Sequence, residues 1–385
     1  MKAVYFDHAA TTPVDRGVLD EMLPYFSQEF GNAGELHRFG RTARAAVERA
    51  RAQVANAIGA AAGEIVFTAG GTEADNLALL GSLQRLAPGH LIVSAIEHPA
   101  ILETARALNR AGWDVDFVPV DGLGTIDLDA YAQAFRADTK LASVHFANNV
   151  IGTVQPVAEL ADIAHQHGAL FHTDAVQAVG ALPIDVVDMG IDMLSLSGHK
   201  LFGPKGIGAL YVKRGVRLLP VVHGGGQERR LRSGTENVPG IVGLGAAIEL
   251  AVTGIPETRP RLEALRERLI AGVLARVPDC RYLGHPARRL PGNAAFAVRF
   301  IEGESMLLQL DTQGFMVSSG SACASGSLEP SHVLMALGLG AEEAHGSIRM
   351  SLGRENTAEE VDAFLEIFPP IVEKLRLMRP LYVRG

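Results

Sequence analysis

From residue 64 to residue 213 the chain repeats one pattern: a short apolar run, a polar break, a stretch with helical spacing, then another apolar run. The runs are EIVFTAG, HLIVSAIEH, VDFVPV, KLASVHFANN, ALFHTDAVQ, DMLSLSG and GALYVKR. Strand-like runs that alternate with helices in one long series predict an α/β domain around a mainly parallel, seven-stranded sheet. In such sheets ligands sit beyond the carboxyl ends of the strands. The residues able to handle a polar ligand gather there: Gly70, Gly71 and Thr72, then Glu97 and His98, Asn148 and Asn149, Asp174 and Gln177, and Ser197, His199 and Lys200.

After Gly234 and Thr235 the pattern changes. A helical stretch, VPGIVGLGAAIELAV, runs into a Gly/Pro-containing break at 254 to 260 and then a second helix, EALRERLIAGVLARV. NAAFAVRF reads as a strand, ESMLLQLDTQG as a helix, and a Ser/Gly/Ala-rich loop follows. Beyond it come a helix near SHVLMALGL, a strand at IRMSLG and a terminal helix from Thr357. This predicts a large α/β domain over 15–255 and a smaller α+β domain from 1–14 and 256–385, with the N-terminal arm packed beside the small domain.

Composition narrows the class without changing it. The chain has 385 residues, 48% of them hydrophobic and 20% charged, enough for a large core and two domains. A net charge of −8 gives no general attraction for nucleic acid or an anionic membrane. The basic clusters ERRLR (228–232) and RPRLEALRERL (259–269) are short and read as solvated helix faces or an interface. The start, MKAVYFDHAATTP, sets an acid and a histidine where a secretory signal needs an unbroken apolar core, and no later run approaches membrane-spanning length. The expectation is a cytoplasmic protein with neither nucleic acid nor membrane as partner. Two cysteines, Cys280 and Cys323, are too few for a disulfide framework or a multi-cysteine zinc site.

The candidate chemistry lies at the strand ends. FTAGGTEADNLALL has the form of strand, glycine turn and helix, and free N–H groups at such a helix start suit an anion. No Walker loop and no GxGxxG occurs, which counts against nucleotide and dinucleotide binding. Asp174 follows an apolar strand, where a carboxylate needs a cationic partner such as a protonated pyridine nitrogen; a structural Asp bonded to backbone is the alternative. His98 stands where an imidazole could lie against a planar ring or move protons, or serve only structure. Lys200 and Lys205 both lie in SLSGHKLFGPKG, and a lysine just beyond a buried strand can become nucleophilic. HQH at 165–167 is discounted as a metal pair, because residues two apart on a helix point to different faces. Cys280 reads as an inert core residue, whereas Cys323, in SSGSACASGS, has surroundings that suit accessible sulfur chemistry.

Taken together, these segments resemble the cysteine desulfurases, pyridoxal 5′-phosphate enzymes of the class V aminotransferase group. YFDHAATTP, FGNAGELHRFG, EIVFTAGGTEADN, EHPAIL, HTDAVQAVG, SLSGHKLFGPKGIGALYV, GGGQERRLRSGTEN, SSGSACASGSLEPSHVL and SIRMSLGR stand in the family's order over nearly the whole chain. The resemblance implies the fold type I of pyridoxal-phosphate transferases and a homodimer. It implies that Lys200, not Lys205, carries the cofactor covalently. Asp174 would partner the pyridine nitrogen, Gln177 the phenolic oxygen, and His98 would stack on the ring. Gly71, Thr72, Ser197 and His199 would cradle the phosphate, completed by Thr235 of the neighbouring subunit. Arg349 would grip the substrate carboxylate with help from Asn149, a group that also faces the cofactor, and Cys323 would be the nucleophile.

The implied reaction converts L-cysteine to L-alanine, with Lys200 and His98 assisting proton transfers and the sulfur passing to Cys323 as a persulfide. An iron–sulfur scaffold or another acceptor would then take it. No metal site is implied, apart from transient contact of Cys323 with an iron–sulfur cluster or scaffold. Val150, in NNVIG, replaces an acid expected in many relatives. The end at RPLYVRG lacks a longer tail that helps housekeeping members dock the scaffold, and with SACASGSLEPSHVL it looks more like the nitrogen-fixation branch. Two rivals stay open: a selenocysteine lyase or other pyridoxal-phosphate lyase, which the Ser/Gly-rich cysteine loop disfavours, and a non-catalytic sulfur carrier, against which Lys200, Asp174, His98 and Arg349 argue jointly.

Overall fold

The computed structural model describes residues 3–319 and 330–378. After the short strand β1 (Val4–Tyr5), seven strands form one sheet: β2 (Ile65–Thr68), β3 (His90–Ser94), β4 (Asp114–Val118), β5 (Thr139–Ser143), β6 (Leu170–Asp174), β7 (Met193–Ser197) and β8 (Gly208–Val212). Their order is β2-β8-β7-β6-β5-β3-β4. Only β8 runs against its neighbours within this sheet, pairing antiparallel with both β2 and β7. β2 therefore points the same way as β7, and its carboxyl end joins those of β3, β5, β6 and β7 along one edge.

The expected seven runs are these seven strands. β3, β7 and β8 are buried along their whole length, because helices cover both faces of the sheet. β4 is the exception, at the sheet's border. Asp114 and Asp116 on it are partly exposed and pair with Arg136, each at 3.1 Å, a charged finish that discourages pairing with another strand. The helices Arg38–Ala57 and Val238–Thr253 pack closely enough that a Cβ on Gly245 would lie 2.8 Å from Ala50 Cα.

The interruption expected at 254–260 is sharper than the sequence suggests. The helix Val238–Thr253 turns by 69° at Gly254 and the helix Ile255–Arg276 begins at once. Pro256 sits in its first turn, where a backbone N–H has no helical partner to lose.

In the ERRLR cluster Arg229 and Arg230 are exposed, as a solvated face or an interface requires, but the segment is not a helix face and its acid is buried. Glu228, Arg229 and Arg230 form a tight turn with φ of 44°, 55° and 68°. Glu228 is buried and accepts both Arg51 Nη1 and Nη2 at 2.8 Å and the Phe67 N–H at 2.8 Å. That paired carboxylate offsets the cost of three consecutive left-handed residues. In the second basic cluster Arg266 is likewise buried, donating to the carbonyls of Leu290 and Pro291.

A second core gathers the C-terminal residues and the N-terminal arm. β9 (Cys280–Leu283), β10 (Asn293–Val298) and β12 (Ser347–Ser351) form an antiparallel sheet in the order β12-β10-β9, while β11 (Phe315–Met316) pairs parallel with β1. Phe6, from the arm, packs with Phe315 and Phe364, ring centres 5.9 Å away from each. The closing helix Ala358–Leu377 starts at Thr357, whose hydroxyl and the Glu360 carboxylate cap one another's backbone N–H groups.

Candidate active site

The carboxyl ends of β2, β3, β5, β6 and β7 open on one cavity of about 340 Å³. Gly71, Thr72, His98, Asn149, Asp174, Gln177, Ser197, His199, Lys200 and Arg349 all line it. The structure thus brings together the expected side chains from the large sheet and the arginine from β12. Thr235 lies elsewhere, exposed on the loop before the helix Val238–Thr253. Cys323 falls outside the described residues. The chain on either side of it is tied to this site: Ser318 exchanges backbone hydrogen bonds of 2.7 and 3.1 Å with Arg349, and His332 Nε2 lies 2.9 Å from the Glu97 carbonyl.

Lys200 closes a short 3-10 turn directly after β7. The turn is tied down by Gly198 N–H to Ile207 O at 3.0 Å and by Leu201 and Gly203 N–H to Gly198 O at 2.9 and 3.0 Å. Phe202 follows in a left-handed conformation, φ 59°. Thr12 Oγ1 accepts its N–H at 2.8 Å and the Arg354 guanidinium lies 4.2 Å over its ring, so neighbours hold the strain in place. Lys200 Nζ donates to the carbonyls of Ala9 and Ala10, both at 2.6 Å. Lys205 is exposed.

Asp174 ends β6, 8% exposed, and accepts the Val176 N–H at 2.9 Å. Burial raises its carboxyl above the ordinary range, while His98, the Val176 N–H and Lys200 pull it back. His98 caps the helix Pro99–Arg110, its Nδ1 accepting the Ala100 N–H at 3.1 Å. The neutral ring therefore carries its proton on Nε2. Burial, Lys200 and His332 lower its pKa, against Asp174, which raises it.

The anion cradle is built from the start of the helix Gly71–Leu83. Its first helical bond is Ala74 N–H to Gly70 O at 3.1 Å, which leaves the N–H groups of Gly71, Thr72 and Glu73 ahead of the ladder. A Cβ on Gly71 would stand 2.8 Å from Val176 and 3.6 Å from Ser197 Cβ, so glycine is what lets the helix start this close to the strand ends. His199 contacts Thr11 Oγ1 through Nδ1 at 3.1 Å, and burial and two lysines lower its pKa to about 4.

Arg349 is 3% exposed on β12. Its Nη2 donates to Asp7 Oδ1 at 2.7 Å and its Nη1 to the Asn149 carbonyl at 3.1 Å. Nε has no hydrogen-bond partner among the described residues. The guanidinium is thus fixed in direction and still short of one acceptor, as a carboxylate receptor should be.

Several contributors escaped the sequence reading. Ala9, Ala10 and Asp7 come from the arm, whose backbone carbonyls hold the lysine amine, and Gln177 Nε2 also donates to Ala9 O at 3.0 Å. Their signal was the block YFDHAATTP, which carries no chemistry legible by residue type. Asp75 and His145 also line the cavity, and Glu97 is buried behind it. Val150 packs with Ile96, Leu334 and Leu337 where an acid was expected, so the position is apolar in this chain. Cys280 is partly buried on β9 and burial pushes its thiol up to about 12, as fits an inert residue. His165 pairs with Asp192 at 2.7 Å while His167 stacks on Phe135 with centres 4.7 Å apart, so the HQH rings serve separate contacts.

An amine, a buried carboxyl group and a helix start with free N–H groups that face one small cavity suit a pyridoxal-phosphate enzyme of fold type I, and fold and site together define that class. The chain belongs to the class-V aminotransferase family, whose model, "Aminotransferase class-V", matches residues 4–364. It is 52% identical to "Cysteine desulfurase IscS" of Methanosarcina thermophila over 99% of this chain and 94% of that one. It is 51% identical to "Cysteine desulfurase" of Gluconacetobacter diazotrophicus over 99% and 96%. A solved structure described as "NIFS-LIKE PROTEIN" superposes with a TM-score of 0.91 at 38% identity, over 97% of this chain and all of that one. The cofactor of the family is pyridoxal 5′-phosphate, and the residues present fit it: the glycine-built cradle suits a phosphate, and Asp174 suits a protonated ring nitrogen.

Proposed function

We propose that this chain is a pyridoxal-phosphate-dependent cysteine desulfurase. It converts L-cysteine to L-alanine, and the sulfur leaves the substrate for the Cys323 thiolate, so that one C–S bond breaks, one S–S bond forms and the thiol becomes a persulfide. The observation that carries the reading is the convergence of Lys200, Asp174, His98 and Arg349 on one cavity. It is supported by relatives of about half identity that carry this name.

When bound, the cofactor supplies an electron sink for the substrate's α-carbon. The chain's own residues do the rest. Arg349 receives the substrate carboxylate at the Nε side that Asp7 and Asn149 leave open. Asp174, as an anion, would hold the proton of the ring nitrogen, and Gln177 would bond the phenolic oxygen. Gly71, Thr72, Ser197 and His199 hold the phosphate. Lys200 would hold the cofactor at rest and, as a free amine, would move a proton at the substrate's α-carbon; that free amine donates to the two carbonyls of the arm. His98 would lie against the ring; with Nδ1 accepting the Ala100 N–H, its exchangeable proton is the one on Nε2, so it would begin as a donor.

The working form in this reading is a homodimer. Leu23, Phe26, Phe30 and Leu36 are exposed within fourteen residues, Leu36 by 86%, and Phe30 stacks on the less exposed Phe39 at 5.3 Å. A second copy covering this face would bring its own Thr235 to the phosphate cradle. Leu36→Asp is expected to shift the sedimentation coefficient toward a monomer; an unchanged dimer removes this face from the interface. The acceptor is an iron–sulfur scaffold or another sulfur-accepting protein, as the resemblance implies, and the setting the cytoplasm, as the N-terminal segment leads us to expect. Among the described residues no single helix is long and apolar enough to cross a membrane.

Purified protein loaded with pyridoxal phosphate should be yellow, and borohydride should fix the cofactor on the Lys200 peptide in a mass spectrum. Cys323→Ala should release almost no sulfide from L-cysteine. Sulfide release at the normal rate would remove Cys323 as nucleophile and favour a lyase.

A further inference from the structure

Three carboxyl groups are buried around the cavity, and only Asp174 has a part in the chemistry above. Glu97, just beyond β3, accepts the His145 N–H, just beyond the neighbouring β5, at 2.7 Å. Asp75 is different. It is 1% exposed, lies in the second turn of the helix that cradles the phosphate and lines the same cavity as Asp174. Its Oδ1 has no hydrogen-bond partner among the described residues, and no lysine or arginine there pairs with it. The His172 ring stands 3.8 Å away, with Nε2 already 3.0 Å from Ser195 Oγ and Nδ1 2.9 Å from Ser143 Oγ.

Asp174 has the better claim to a negative charge. It accepts the Val176 N–H and faces His98 and Lys200, which both favour its anion. Two carboxyl groups that share a site closed to water do not both ionise. Burial first, and then the charge of Asp174, drives the Asp75 carboxyl well above the ordinary range.

We propose that Asp75 is a positioning residue that stays protonated at neutral pH, so that Asp174 is the anion that faces the cofactor's ring nitrogen. The Ser195 hydroxyl donates to the Asp75 carboxyl and opposes part of that rise, while His172, at 3.8 Å, stands beyond hydrogen-bond reach. The charged and titratable groups around it are Asp174 and His172 on β6, Glu97 beyond β3, and across the cavity His98, His145, Lys200 and Arg349. The inference rests on the role proposed for Asp174 and adds the reason that this acid, among three, carries the charge.

The test compares the stability of wild-type and Asp75→Asn apoprotein in urea as a function of pH. A carboxyl that holds its proton more tightly in the folded chain than in the unfolded one, where it leaves near pH 4, makes stability fall as pH rises above that value. Asparagine does not titrate. The variant is therefore expected to be the more stable protein at neutral pH, with a margin that widens as pH rises above about 4. A variant less stable than wild type, with a deficit that shrinks on acidification, would mean an ionised structural Asp75 and would overturn the proposal.

Infrared spectra of protein labelled at the aspartate side-chain carboxyl give a second readout that does not depend on the folding of Asp75→Asn. A neutral-carboxyl stretch is expected at neutral pH in wild type and in Asp174→Asn. Its absence from wild type, or its loss in Asp174→Asn alone, counts against Asp75. Pyridoxal phosphate binding separates the two ideas. Should Asp174→Asn keep wild-type cofactor affinity and absorbance, the role of Asp174 fails while the infrared band of Asp75 stands.

Discussion

Glu228 and Asp75 are carboxyl groups buried against the same sheet, 8% and 1% exposed, with opposite surroundings. Glu228 receives two guanidinium nitrogens of Arg51 and a backbone N–H, and Arg51 in turn reaches the Ile65 carbonyl and lies 4.8 Å over the Phe67 ring. Among the described residues Asp75 and Glu97 each have an oxygen without a hydrogen-bond partner, as does a ring nitrogen of His145 nearby. Where the chain needs only a stable turn it completes every polar contact. Where it needs a receptive cavity it leaves acceptors and donors open, and shifted proton affinities follow.

The strongest test of that contrast is at the open edge. Lys200→Ala should lower kcat for alanine formation by at least about 10³-fold, the scale of a lost acid–base group, with little change in the urea midpoint. A large loss of stability instead would mean that the amine serves the fold through the arm carbonyls.

At the closed site the effects reverse. Glu228→Ala strands a buried guanidinium and should cost about 3–5 kcal/mol in urea denaturation. An Arg51→Met, Glu228→Leu double variant should recover most of that, because an apolar pair can replace a buried ion pair. Failure of the double variant to recover would show that the left-handed turn, not the charge, is what the pair secures.

Arg349→Lys should keep the charge but lose the fork, and raise KM for L-cysteine about 10- to 100-fold, the worth of one hydrogen bond to a charged group at about 1.5–3 kcal/mol. A change in kcat alone would move Arg349 out of substrate binding.

At any one mildly acidic pH the smallest effect is the slope of acid titration. Burial holds the pKa of His172 down to about 3, whereas the unfolded ring titrates near 6.5. The unfolded state thus binds more protons between those values, and stability should fall as pH drops through that window, by up to about 1.4 kcal/mol per pH unit for this ring. His172→Asn should flatten the fall. An unchanged slope would assign the acid sensitivity to His145, which burial, His332 and His98 likewise hold near 3.

The sheet was readable because its strands are buried on both faces and stand out as unbroken apolar runs. Their polar terminal residues marked the cavity for the same reason, since a strand end is where a side chain leaves the core. β1, β9 and β11 were not readable: two are two residues long, and β9 carries Cys280, Arg281 and Tyr282 in a mixed pattern. Nor was the role of the arm, whose contribution is two backbone carbonyls that any residue would possess. ERRLR misled because composition speaks for solvent, while the buried Arg51 that neutralises Glu228 lies 177 residues away in sequence. Asp75 looked like an ordinary helix-opening acid, and only its place beside β6 and β7 shows it closed off from water.

The lone reversed strand of the large sheet has a mechanical meaning. Because β8 lies directly beside β7, with Ser197 level with Gly208, the segment bearing the amine is a short closed loop pinned at both ends of its base. A parallel neighbour would have required a long crossover there. Lys200 is thereby mounted like a gauge needle on a fixed pivot: the backbone beneath it stays still, and all its travel between partners is set by the reach of its own four-carbon stem.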